Sequence, residues 1–149
     1  MKLRFSGAPL ITRPRQTVWE KLIDPDFVAA SAPGVESVER LGPTRFKVIS
    51  GLGLGPLRVR FTLDVELFDI VEGQRLKMRA RGNAPGSMVE VVSALQVDPA
   101  GEGQTRLKWS ATSDLTGTVA RFGGPLVEGT ARRLTEEFWT DFAQRVSST

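Results

Sequence analysis

Two pairs of carboxylates lie close enough in the chain to share acid–base work: Asp24 with Asp26, and Glu136 with Glu137. Each also has a simpler reading. Asp24 precedes Pro25 where a helix cap is expected, and Glu136 and Glu137 fall on the polar arc of a helix. The chain contains no His, no Cys and no Tyr. That excludes zinc sites built on Cys or His, Cys nucleophiles, Ser-His-Asp triads and disulfides. Only Asp, Glu, Lys and Arg remain as proton carriers. No acidic loop has the spacing of a hard-cation site. The run Gly51, Gly53, Gly55 and Pro56 would cradle a phosphate only with a helix after it. A strand follows instead, so a glycine-rich hairpin is expected. No catalytic residue, metal or cofactor is assigned on these grounds.

The chemistry that remains is apolar. A long helix is expected from roughly Val119 to Val146, with Val127, Ala131, Leu134, Phe138 and Phe142 on one arc. Gly123, Gly124 and Pro125 weaken its first turn, either as a late helix start at Pro125 or as a hinge that lets the helix lift. Before it come strands with period-two patterning. The clearest is Leu57 to Leu67, where Leu57, Val59, Phe61, Leu63, Val65 and Leu67 alternate with Arg58, Arg60, Thr62, Asp64 and Glu66. Strict alternation means one dry and one wet face, the pattern of an antiparallel sheet. Further strands are expected at Lys2 to Ile11, Val35 to Leu41, Arg45 to Ile49, Arg75 to Arg81, Met88 to Val97 and Thr105 to Leu115. Between the first two, Thr12 and Pro14 mark a helix start that carries Val18, Trp19 and Leu22. Asp24 caps a second short helix, Pro25 to Ala30, with Phe27 and Val28 packing inward.

Seven strands with segregated helices make an α+β domain spanning residues 1–149. The two short helices plug one end of a curved sheet, and the long helix crosses its concave face. One helix cannot fill a wide concavity with medium-sized side chains, and interiors otherwise close to crystal-like density. A void there is expected to serve a ligand. Its expected lining is Phe61, Leu63, Val65, Met78, Val91, Trp109, Leu126, Leu134 and Phe138. The plainer reading of each is core packing.

The wet faces of the strands are basic. Arg45, Lys47, Arg58, Arg60, Arg75, Lys77, Arg79, Arg81, Arg106 and Lys108 all sit at outward phases, interleaved with acids such as Asp64, Glu66 and Glu90. This is a solvated face, or a surface that docks on an anionic membrane or an acidic protein. Nucleic acid is not an expected partner, because no aromatics interleave with the bases and the net charge is only +3. The 149 residues hold no apolar run near the ~18 residues of a membrane span, and Met1 to Phe5 has no signal-like apolar core. A cytoplasmic protein, peripheral at most at the inner face of the membrane, is expected.

The stretch Val18-Trp19-Glu20-Lys21-Leu22-Ile23-Asp24-Pro25 resembles the start of START-like proteins of the SRPBCC superfamily, which have a helix-grip fold. Within that superfamily, Ala32-Pro33-Gly34-Val35-Glu36-Ser37-Val38-Glu39 is similar to the carbon monoxide dehydrogenase G-subunit family, as are Gly55-Pro56-Leu57 and the ending Gly123 to Phe142. The Pro-Gly-x-Glu-Ser segment is the most specific part. Val35 stands where relatives often carry Cys, and the chain ends at Thr149 where some relatives continue into a membrane-anchoring tail. The resemblance implies a non-catalytic accessory protein that recruits a molybdenum hydroxylase to the membrane, with a lipid or other large apolar molecule in the grip cavity. It carries over no catalytic residue.

Three functions follow. The first is a binding protein for a lipid or quinone-like molecule that assists a molybdenum hydroxylase. The second is a polyketide cyclase or dehydratase using the same cavity, which calls for an ionisable group inside it. The third is an assembly partner with a filled core.

Overall fold

The computed structural model describes every residue except Gly55, Phe122 and Gly123, and every side chain except those and Leu54, Leu57 and Val119. The strands are β1 (Lys2–Gly7), β2 (Leu10–Ile11), β3 (Val35–Arg40), β4 (Arg45–Leu54), β5 (Leu57–Val71), β6 (Arg75–Ala84), β7 (Ser87–Pro99) and β8 (Thr105–Gly117). The helices are α1 (Arg15–Leu22), α2 (Pro25–Ser31), α3 (Thr118–Arg121) and α4 (Gly124–Ser147). The strands form one antiparallel sheet in the order β1-β8-β7-β6-β5-β4-β3, with β2 also on β8. From β3 to β8 the sheet is a simple meander. This is the expected α+β helix-grip architecture, a curved antiparallel sheet with α4 against its concave face.

Several boundaries differ from the sequence reading, each for a local reason. The expected first strand is two, because Pro9 lacks an N–H and interrupts the ladder between Gly7 and Leu10. Gly7 also has Trp109 beneath it, whose Nε1 would lie 2.6 Å from any Cβ. Helix α1 is capped at Pro14 without a side-chain bond, so Thr12 is not its cap. Asp24 does cap α2, accepting from the Asp26 and Phe27 amides at 3.1 and 3.4 Å. The hairpin between β4 and β5 is longer than expected: Gly51 and Gly53 pair within β4, opposite Arg60 and Arg58. Its Gly55 lies outside the described residues.

Strand β5 continues past Leu67 through a bulge between Phe68 and Val71, where Asp69 has φ 49°. The helix expected from Val119 is seen as α3 and α4, on either side of Phe122 and Gly123, which lie outside the described residues. Of the Gly123-Gly124-Pro125 segment, Gly123 lies outside the described residues, and Gly124 and Pro125 stand in the first turn of α4.

Gly34 explains why the most family-specific segment contains a glycine. Its φ is +75°, and a Cβ there would overlap the Gly51 carbonyl oxygen. Only glycine allows both the backbone angle and the close approach. The Gly51 amide in turn donates to the Gly34 carbonyl at 2.8 Å. The segment leading into edge strand β3 is thereby tied to the middle of β4.

The core sits between the concave sheet face and α4. From the sheet come Phe5, Phe46, Val65, Leu76, Leu95, Leu107 and Trp109, and from α4 come Val127, Trp139, Phe142 and Val146. Trp19 of α1 is buried at one end, with its indole N–H donating to Glu72 at 3.0 Å. Trp139 is the aromatic anchor of α4. It stacks on Trp109 at 5.9 Å and meets Phe138 and Phe142 edge-on at 4.6 and 5.6 Å. The buried face of α4 therefore runs Val127, Thr130, Trp139, Phe142, Ala143 and Val146. Ala131, Leu134 and Phe138 are only half-buried beside it.

Candidate functional site

Side-chain size along α4 divides the interior in two. From Phe138 onward the helix presents Phe138, Trp139 and Phe142, and these fill the space above the sheet with help from Trp109 and Phe27. Toward its N-terminus it presents Val127, Thr130, Ala131, Leu134 and Thr135, which are too small to do so. The facing strands are also lightly furnished there, with Ser50, Ala80, Val89 and Ser113. The result is a cavity of about 230 Å³ between α4 and strands β4 to β8. Its remaining walls are Leu52, Phe61, Leu63, Val91 and Leu115. None of the fourteen lining residues is ionisable. Packed interiors rarely leave voids larger than a water molecule, whereas this one approaches the 300 Å³ or so at which ligand pockets begin.

Of the nine expected lining residues, Phe61, Leu63, Val91 and Leu134 border this cavity. Val65 is buried core outside it. Trp109 is occupied in the stack with Trp139, and Phe138 packs edge-on against the same indole. Met78 borders a gap of only about 10 Å³ between Phe46, Leu95 and Trp139. Leu126 is 41% exposed; the neighbouring Val127 points inward in its place. Helix rotation accounts for Leu126 and Phe138, since the buried arc is centred nearer Trp139 than Phe138. The missed polar lining was on the same phases as the apolar residues. Ser50 follows Phe46 and Val48, and Ser113 follows Trp109 and Ala111, at intervals of two. Thr130 stands three residues after Val127.

The carboxylate pairs are structural. Asp24 and Asp26 share Arg40, at 3.3 and 3.2 Å. Glu137 pairs with Arg133 at 3.7 Å on the exposed side of α4, and Glu136 is exposed beside it. No cluster of three or more potential metal ligands occurs among the described residues.

The basic residues do point outward from the convex sheet face, but acids accompany them. Arg60 pairs with Glu36 at 2.8 Å, Lys77 with Asp69 at 3.6 Å, Arg81 with Glu90 at 2.6 Å and Lys108 with Asp98 at 3.0 Å. Arg79 lies over the Phe68 ring at 4.6 Å, and Arg106 donates to the Ala8 carbonyl. Arg45 and Lys47 stand opposite Glu66 and Asp64. Among the described residues, Arg58 and Arg75 have no ion pair. A broad, open depression of about 680 Å³ on this side, floored by Ala94 and Ser110 and rimmed by Arg75, Lys77 and Lys108, is larger than the interior cavity. Asp69, Arg75, Lys77 and Lys108 place charges in its lining, whereas the cavity beneath α4 has none, so the latter is the stronger candidate for an apolar ligand. Asp98 has its pKa held below the ordinary carboxylate value by the Gln96 amide first and by Lys108 second.

The CoxG family model, which describes the G subunit of carbon monoxide dehydrogenase, matches residues 7–147. The chain belongs to this family. Its fold is shared with a conserved protein from Geobacillus kaustophilus (21% identity, TM-score 0.88, covering 98% of this chain and 96% of that one). It is shared also with a START superfamily protein from Mycobacterium smegmatis (13% identity, TM-score 0.74, 97% of each chain). A third similar structure is the Zhui aromatase/cyclase from Streptomyces sp. R1128 (14% identity, TM-score 0.68, covering 99% and 93%). No curated protein sequence matches. At these identities the structural likenesses establish the START-like fold and nothing about ligand or reaction. No helix among the described residues of this CoxG-family chain is long and apolar enough to cross a membrane.

Proposed function

We propose that this CoxG-family chain, residues 1–149 acting as one unit, is a non-catalytic binding protein that holds a lipid or quinone-like molecule beneath α4. The observation that carries the proposal is the 230 Å³ cavity with no ionisable side chain in its lining. A cyclase or dehydratase needs a proton carrier beside its substrate, and Asp, Glu, Lys and Arg all stand elsewhere. Family membership supports the finer part of the reading, in which the loaded protein serves a molybdenum hydroxylase of the carbon monoxide dehydrogenase type at the inner face of the membrane. In that reading the convex-face residues Arg58, Arg60, Arg75, Lys77, Arg79, Arg106 and Lys108 meet the partner or the membrane, with Arg58 and Arg75 the freest to do so.

Native mass spectrometry of the purified chain, followed by solvent extraction, tests the binding function. A mass adduct that is released into the organic phase is expected. A bare chain that also fails to take up any added apolar compound refutes it. Co-purification with the components of a molybdenum hydroxylase tests the partnership separately.

A further inference from the structure

We propose that the cavity selects an uncharged molecule bearing one hydrogen-bonding oxygen on a rigid apolar body of one or two rings, and that the Thr130 and Ser113 hydroxyls read that oxygen. This rests on the cavity being a ligand site and specifies what it accepts.

Four hydroxyls enter an otherwise apolar lining: Ser50, Ser113, Thr130 and Thr135. Two are committed. Ser50 donates to the Pro33 carbonyl at 3.5 Å, and Thr135 donates back along the helix to the Ala131 carbonyl at 2.7 Å. Back-bonding of this kind is the usual fate of a threonine inside a helix. Thr130 does not follow it. Its side chain belongs to a residue only 9% exposed, yet among the described residues neither it nor Ser113 has a hydrogen-bond partner. No fully enclosed side-chain oxygen among the described residues is left unpaired, so the Thr130 hydroxyl borders open space rather than packed atoms. The hydroxyl is open to water until a ligand covers it; a ligand oxygen then replaces that hydrogen bond, whereas a hydrocarbon leaves it unmet at a cost.

Charge is excluded by the same lining. A carboxylate or phosphate seated here would lose its water with no cation to compensate, which is the most costly burial available to a small molecule. The size follows from the volume. A dry cavity of about 150 Å³ accepts benzene, so 230 Å³ accommodates one ring with a substituent or two fused rings.

Three compounds on one skeleton separate these requirements by calorimetry: 2-acetylnaphthalene, 2-ethylnaphthalene and 2-naphthoate. The ketone is expected to bind about tenfold tighter than the hydrocarbon, the equivalent of one good neutral hydrogen bond, and at least about 100-fold tighter than the carboxylate. Thr130→Val is expected to erase the advantage of the ketone while leaving the hydrocarbon unchanged. Ser113→Ala gives the same readout from the opposite wall should Thr130→Val fold poorly. Naphthoate binding as well as the ketone, or a ketone no better than the hydrocarbon in the unmodified chain, overturns the inference and leaves the cavity function standing. Binding of none of the three overturns the inference, and the native-mass and extraction measurement decides the binding function separately.

Discussion

Replacing Ala131 by leucine tests whether the space beneath α4 is real. Ala131 is half-buried on the cavity side of α4, and leucine is almost as good a helix former. The substitution adds three carbons. At about 0.8 kcal/mol per buried CH₂ their burial gives up to about 2.4 kcal/mol, less roughly 0.5–1 kcal/mol of leucine rotamer entropy. The net expectation is a gain of about 1–2 kcal/mol. The ceiling is set by the whole void: 230 Å³ at about 24 cal/mol per Å³ corresponds to about 5.5 kcal/mol. For a chain of 149 residues, the Tm should rise by about 2–8 °C. The same carbons occupy about two fifths of the 230 Å³ cavity, taking roughly 30 Å³ per heavy atom by analogy with water. Affinity for a two-ring ligand should therefore fall at least tenfold. Differential scanning calorimetry and ligand titration on one preparation give both numbers. A destabilised variant that binds as before would show that atoms already meet at Ala131 and that the reasoning is wrong.

Three other perturbations have definite outcomes. Trp139→Ala removes the partner of Trp109 and should cost about 3–5 kcal/mol in urea denaturation; a loss under about 1 kcal/mol would contradict its anchoring role. Gly34→Ala and Gly73→Ala face similar backbone angles, φ +75° and +72°, but a Cβ meets the Gly51 carbonyl oxygen at the first and nothing within 4 Å at the second. Both should pay about 1 kcal/mol or more of left-handed strain, and Gly34→Ala clearly more by chemical denaturation; equal losses would remove the contact argument. Asp98→Asn addresses acid stability. Because the folded pKa of Asp98 lies below its ordinary 3.8, its contribution is complete above that value and is lost as pH falls through the lowered one. The unmodified chain should melt higher than the variant at pH 6, with the gap narrowing as pH falls below 3.8; a gap independent of pH would refute the assignment.

The fold was legible in the sequence because its signals are local. Alternation of Phe61, Leu63 and Val65 with Thr62, Asp64 and Glu66 fixes which side of β5 is dry whatever lies above it. The Asp24 cap was equally readable, since it depends on the next three residues. Boundaries shifted at single backbone features that periodicity does not register: Pro9 splits the first strand after Gly7, and a bulge at Asp69 carries β5 along β6 beyond Leu67.

The amino-acid sequence by itself determined the antiparallel meander, the long terminal helix, the absence of His, Cys and Tyr chemistry, and the family, through a segment whose glycine serves a backbone contact. Tertiary structure alone decided where the interior is full and where it is hollow. Periodicity tells that Val65, Met78, Trp109 and Phe138 are buried or partly so, but burial against a neighbouring ring and burial against empty space give the same pattern. Only the rotation of α4, set by Trp139 stacking on Trp109, places Thr130 and Ala131 rather than Leu126 over the sheet. That rotation leaves the small side chains of both layers facing one another across a gap.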